Sequence, residues 1–257
     1  MALKVMVLSP LHNMGTTVVA TMLAQGVTFS NKTSTLLYTR DDSTLPKYLG
    51  IESVSDPTRS VMQIVKLIDN GAIQDKDILD YTYKYATNAY MLNTSDTSIA
   101  DTDKRQIINH IYTRTPSDIV ILDNSEDISH PLTKAMLDVS DVVFVVVQPS
   151  AKAFERLKVW LTYTGLKDKD SVYVIVNNYN EVVYSVRDLA KHMGLPARRV
   201  CKLHYNPWIT KCCITGTLQT ILPLSMNIDA RVANLSNDIK EFNSCINSEF
   251  YNVSRKG

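Results

Sequence analysis

Residues 118–147 read DIVILDNSEDISHPLTKAMLDVSDVVFVVV, and two runs inside them, IVIL at 119–122 and VVFVVV at 142–147, decide the fold class. Both are apolar without alternation, as strands buried on both faces of a parallel sheet must be. LTKAMLDVS between them has helical spacing, so the unit is strand, helix, strand. A third run, VYVIV at 172–176, follows the helical stretch AKAFERLKVWLTYTG and ends in Asn177 and Asn178. Toward the C-terminus come a helix at 185–194, a short strand at 200–204, a helical stretch at 209–218 and a long polar helix from about 228 to 250. Toward the N-terminus, TSTLLYT at 33–39 is β-rich and ends in Arg40, Asp41, Asp42 and Ser43. Residues 57–70 and 76–86 predict helices, 90–92 a short strand, and 101–114 a helix whose acids come first and whose Arg114 comes last, as its dipole favours. Strands alternating with helices predict an α/β fold: a doubly wound, mostly parallel sheet flanked by helices in three layers, with ligands at the carboxyl ends of the strands. No repeat or composition shift divides residues 1–257, so a single domain ending in a C-terminal helix is expected.

The chain opens in the same idiom. In KVMVLSPLHNMGTTVVATMLAQ (4–25) an apolar run stops at Pro10, passes a polar loop, and resumes with helical spacing at Thr16, Val19, Met22 and Leu23. A strand, loop and helix in succession leave the free N–H groups of the first helical turn, with the positive end of its dipole, at the carboxyl edge of the first strand. An anion fits there. A dinucleotide site would need G-x-G-x-x-G in this loop, and only Gly15 is present.

Composition narrows the classes further. The net charge of +1 gives no global attraction to nucleic acid or acidic lipid. Of the four cysteines, Cys212 and Cys213 are adjacent and do not reach around a metal as a spaced pair does, so Cys201, Cys212, Cys213 and Cys245 read as free thiols in a reducing, cytoplasmic setting. The first residues are too short for a membrane span, and the final helix lacks the large apolar face of an interfacial anchor.

Read together, these stretches resemble the MinD/ParA family of deviant P-loop ATPases over nearly the whole chain. The family's K-G-G-x-G-K-[ST]-[ST] loop corresponds to Pro10, Leu11, His12, Asn13, Met14, Gly15, Thr16 and Thr17. Its second-strand switch segment resembles TRDDSTLPKYLG, with Asp41 as the acid. Its Walker B strand resembles SDIVILDNS, with Asp123 at the end. VIVNNYN resembles the strand whose terminal Asn contacts the base, here Asn177 or Asn178, and LHYNPWI resembles the segment flanking the adenine. The resemblance implies ATP and Mg2+ as ligands, with Thr16, Asp41 and Asp123 at the metal. Asp41 and Asp123 would also be the catalytic acids, and residues 12–17 with Asn177 and Asn178 would hold the nucleotide.

The departures fall on the phosphate loop. Gly15 stands in the lysine's position, Pro10 in that of the extra signature lysine, and Leu11, His12 and Met14 replace glycines. No lysine or arginine lies between Lys4 and Lys32. Loss of one electrostatic stabiliser of this kind costs on the order of 100-fold to 1,000-fold in rate. The expected function is therefore a dimeric localisation or partner-recruiting factor, similar to the TadZ and CpaE members, with weak or absent hydrolysis. The alternative is a partition ATPase that binds DNA nonspecifically, which needs a basic stripe. The small groups at Lys152–Lys158 and Arg198–Lys202 are the candidates for one.

Overall fold

The uninterrupted apolar runs lie inside one sheet because helices cover both of its faces. The computed structural model describes residues 2–40, 43–51, 59–94, 101–124, 129–221, 223 and 232–254. Its eight strands are β1 (Leu3–Leu8), β2 (Ser34–Tyr38), β3 (Tyr83–Ala86), β4 (Ala89–Met91), β5 (Ile119–Asp123), β6 (Val142–Val147), β7 (Val172–Tyr179) and β8 (Val200–His204). They lie in the order β3-β4-β2-β5-β1-β6-β7-β8, and every neighbouring pair is parallel except β3 with β4. The helices are α1 (Thr16–Thr28), α2 (Leu45–Tyr48), α3 (Val61–Asp69), α4 (Asp101–Arg114), α5 (Pro131–Val139), α6 (Ala151–Tyr163), α7 (Val186–Met193), α8 (Pro207–Thr215) and α9 (Ala233–Ser254).

Alternate residues of the strands feed two cores. Met6 and Leu8 of β1 join Val145 and Val147 against Ile64 of α3, Ile111 of α4, Met136 of α5, Leu157 of α6 and Leu189 of α7. Val5 and Val7 join Phe144 and Ile175 against Val19 and Leu23 of α1 and Ile239, Phe242 and Ile246 of α9. The result is a helix, sheet, helix sandwich, as the buried runs require. β1 lies between β5 and β6, with Val7 opposite Asp123 and Leu8 opposite Val145. The connection from β1 runs toward β2 on one face, whereas that from β6 runs toward β7 on the other. Such a reversal opens a crevice at the carboxyl ends of the strands.

One predicted helix fails. Residues 76–86 divide into a 3-10 turn at Asp75–Tyr81 and the strand β3, which pairs antiparallel with β4. Gln74 and Asp77 close a capping box that starts the turn, but Tyr83 and Tyr85 then pack on the second core while Lys84 points to solvent, a period of two. Asn88, at φ 56°, turns the chain back into β4. The predicted strand at 90–92 forms one residue earlier, and the helix expected at 57–70 forms over Val61–Asp69. Residues 57–58, Asp41, and 228–231 of the predicted final helix lie outside the described residues. No helix among the described residues is long and apolar enough to cross a membrane.

Candidate functional site

The loop from β1 to α1 sits at the mouth of the crevice. Ser9 Oγ accepts from Leu11 N at 3.2 Å, Pro10 is buried, and His12 and Asn13 are exposed. Asn13 (φ 60°) and Gly15 (φ 90°, ψ 27°) are both left-handed, so the chain coils sharply before Thr16. Gly15 is the N-cap of α1 and no side chain caps the helix. The first-turn N–H groups therefore face the sheet edge together with the positive end of the helix dipole.

Two neighbouring strands hold this loop. Asn177 donates its Nδ2–H to Met14 O at 2.8 Å, Gln148 donates Nε2–H to Asn13 O at 3.2 Å, and the Gln148 backbone N–H points at Met14 Sδ at 3.4 Å. A Cβ at position 15 would collide with the Asn177 amide, so the close approach requires glycine. A register shift between Asn177 and Tyr179 in the β7–β8 pairing, with Asn178 at φ 56°, turns Asn177 inward and Asn178 out to solvent. The two asparagines are thus distinguished: Asn177 is buried against the loop, and its Oδ1 accepts from Asn178 N at 2.9 Å.

Behind the loop stands Asp123 at the end of β5, with no exposed surface. Thr17 Oγ1 donates to its Oδ2 at 2.7 Å, while Oδ1 is buried with no hydrogen-bond partner among the described residues. Burial pushes its carboxyl up to about 6, and the Thr17 and Thr16 hydroxyls pull it part of the way back. The hydroxyl that meets Asp123 squarely belongs to Thr17, one residue beyond the expected Thr16. Next to it, Asn124 donates N–H to Val7 O at 2.8 Å and Nδ2–H to Thr133 Oγ1 at 2.9 Å, which holds the strand end in place. A buried carboxylate with an unengaged oxygen, beside a hydroxyl and an uncapped helix start, can take a divalent cation, and the helix start can take that cation's anionic partner.

His12, Asn13, Met14, Gly15, Thr16, Thr17, Asn177 and Asp123 therefore come together; Asn178 does not join them, and Asp41 lies outside the described residues. Gln148 was not singled out from sequence, although it follows the buried run VVFVVV just as Asp123 follows IVIL. The lysines on either side in sequence are of no use to the loop: Lys4 lies near the start of β1, at the opposite end of the strand, and Lys32 lies over the Phe250 ring at 3.4 Å. The Arg198–Lys202 group is no stripe either, since Arg199 is buried on the carbonyls of Val172, Lys167 and Leu166 and Arg198 pairs with Asp170 at 3.0 Å.

This architecture is the α/β fold of the MinD/ParA P-loop ATPases. The structure is similar to the MinD cell division protein of Aquifex aeolicus at a TM-score of 0.69 and 16% identity, covering 96% of this chain and 97% of that one. A ParA family ATPase from Chlorobium tepidum matches at 0.69 and 14%, covering 94% and 97%. The septum site-determining protein MinD of Pyrococcus horikoshii, solved in complex with Mg-ADP, matches at 0.66 and 15%, covering 94% and 95%. No protein-family model and no curated protein sequence matches the chain.

Proposed function

We propose that this chain is a degenerate MinD/ParA-like nucleotide-binding protein that works as a dimeric, cytoplasmic localisation or recruiting factor of the TadZ/CpaE kind, with weak or absent ATP hydrolysis. One observation carries the reading: the cradle keeps its uncapped helix start and its Thr17–Asp123 pair with an unpartnered carboxylate oxygen, yet no cation lies between Lys4 and Lys32. In this reading the N–H groups of Gly15, Thr16 and Thr17 hold phosphate. Thr17 and Asp123 hold Mg2+, and Asn177 and Gln148 keep the loop in shape. Asp41 remains the proposed second acid. The Thr17–Asp123 hydrogen bond shifts this reading by one residue from the alignment that set Gly15 at the lysine and Thr16 at the metal: Gly15 takes the role of the last loop glycine, and Thr16 stands where a lysine would neutralise the terminal phosphate. Bound Mg2+ would supply neutralisation of phosphate charge; the chain supplies position but not the missing cation, so recognition outlasts turnover.

Calorimetric titration with Mg-ATP tests the proposal. Binding that is lost in Asp123→Asn and Gly15→Ala is expected, together with phosphate release at or near background. Absence of binding at millimolar Mg-ATP removes the nucleotide from the reading, and robust turnover removes the recruiting role in favour of an ATPase. Light scattering with and without nucleotide tests the dimer. The partition alternative predicts nucleotide-dependent binding to long duplex DNA with a steep salt dependence; the buried Arg199 and paired Arg198 speak against it.

A further inference from the structure

At the far edge of the sheet, helix α9 lies on strand β8, and two thiols meet there. Cys201 Sγ, in β8, is 3.7 Å from Cys245 Sγ, in α9, and the two residues are 44 apart in sequence. All four cysteines are free, and the other two, Cys212 and Cys213, sit side by side in α8. Cys201 is 1% exposed inside the second core, whereas Cys245 is half-buried at its margin. The sulfurs are at van der Waals contact already, a short approach from the roughly 2 Å of a covalent bond.

We propose that Cys201 and Cys245 form a reversible disulfide, made by exchange with a low-molecular-weight disulfide such as oxidised glutathione, which locks α9 onto the edge strand β8. The pair has an order built into it. Between the two sulfurs, which share one S–H···S contact, the thiolate is favoured on Cys245, against its burial and the nearby Glu241 and Glu249, and the Cys201 thiol is pushed up by that contact and by burial. Cys245, the more accessible sulfur, attacks one sulfur of the small disulfide and releases one small thiol. Cys201 then attacks Cys245 Sγ and releases the second. The two protons of the protein thiols end on the two released thiols, and the two electrons pass to the small disulfide. The bond would pin the second half of α9, two helical turns beyond the point where Asp238 already holds β8 through His204 N at 2.8 Å.

Equilibration of the full chain in glutathione buffers from reduced to oxidised, followed by thiol counting and non-reducing peptide mass spectrometry, tests this. Two of the four thiols should disappear, with one peptide pair joining residues 201 and 245. Melting of the oxidised form should rise by about 5–10 °C, because the bond closes a long loop of the unfolded chain. Cys201→Ser should stop at a mixed disulfide on Cys245, and Cys245→Ser should keep all its remaining thiols and melt at the same temperature in either buffer. Four thiols retained under oxidising glutathione, a mixed disulfide persisting on Cys245 of the unaltered chain, or a bond between Cys212 and Cys213 in place of the proposed one would each overturn it.

Discussion

Two aspartates, Asp123 at the end of β5 and Asp238 on α9, are equally buried, with no exposed surface on either. Their surroundings differ. Asp238 has both oxygens engaged: Oδ2 accepts from His204 N at 2.8 Å, and the His204 Nδ1 lies 2.8 Å from Oδ1 and 2.9 Å from Oδ2. Asp123 has one hydroxyl on Oδ2 and nothing on Oδ1. Burial raises both carboxyls, but around Asp238 the imidazole and amide of His204 work against that rise. A saturated buried carboxylate fastens two elements, here α9 to β8. An unsaturated one costs stability, and it leaves an oxygen for the cation proposed above.

The comparison breaks most visibly at its structural end. Asp238→Ala strips the acceptor from a buried amide and an imidazole, and urea unfolding should show a loss of about 3 kcal/mol or more. A loss under 1 kcal/mol would mean that α9 is held by apolar packing alone.

Asp123→Asn should move the other way. The folded carboxyl titrates at about 6 against an ordinary value of 3.8, so between those values the folded state holds a proton that the unfolded state has released. Stability of the unaltered chain therefore falls as pH rises from about 4 to 6 and stays lowered above. The shift corresponds to roughly 3 kcal/mol. The amide variant escapes that cost, less the cost of its own unpaired N–H groups, and should unfold about 1–3 kcal/mol harder at pH 7.5 while showing no gain at pH 4. A variant equally destabilised at both values would make Asp123 a purely structural group.

Gly15→Ala tests the loop between these extremes. The new methyl meets the Asn177 amide and adopts a left-handed backbone, so a loss of about 1–2 kcal/mol is expected, with a fall of tenfold or more in Mg-ATP affinity by calorimetry. The smallest effect belongs to Gln148→Ala, which removes the 3.2 Å bond from a half-buried side chain to Asn13 O. Thermal unfolding should change by about 0.5 kcal/mol or less, while nucleotide affinity, if the loop must be held for binding, drops severalfold.

How far the site could be read in advance follows the same division. Asp123 was legible because an acid directly after IVIL must stand at the sheet's carboxyl edge, whatever the rest of the chain does. The loop was legible as a strand-to-helix turn. Its register was not: Thr16 and Thr17 are adjacent hydroxyls, and only the left-handed turn at Gly15 decides which of them meets Asp123. Asn177 and Asn178 posed the same ambiguity, resolved by a register shift that depends on β8 pairing. Residues 76–86 misled because their apolar spacing suits a helix locally, and the strand forms because Tyr83 and Tyr85 find the second core.

By itself, the sequence determined the buried strands, the helices between them, the carboxyl-edge position of Asp123 and the absence of positive charge from the first loop, since each is a matter of local periodicity or residue type. Only the tertiary structure decided that Asn177 and Gln148 hold that loop, that Thr17 faces Asp123, that Arg199 is buried and that Cys201 meets Cys245. Those contacts join residues 27 to 163 positions apart, and strand order and register, which no local window contains, set such distances.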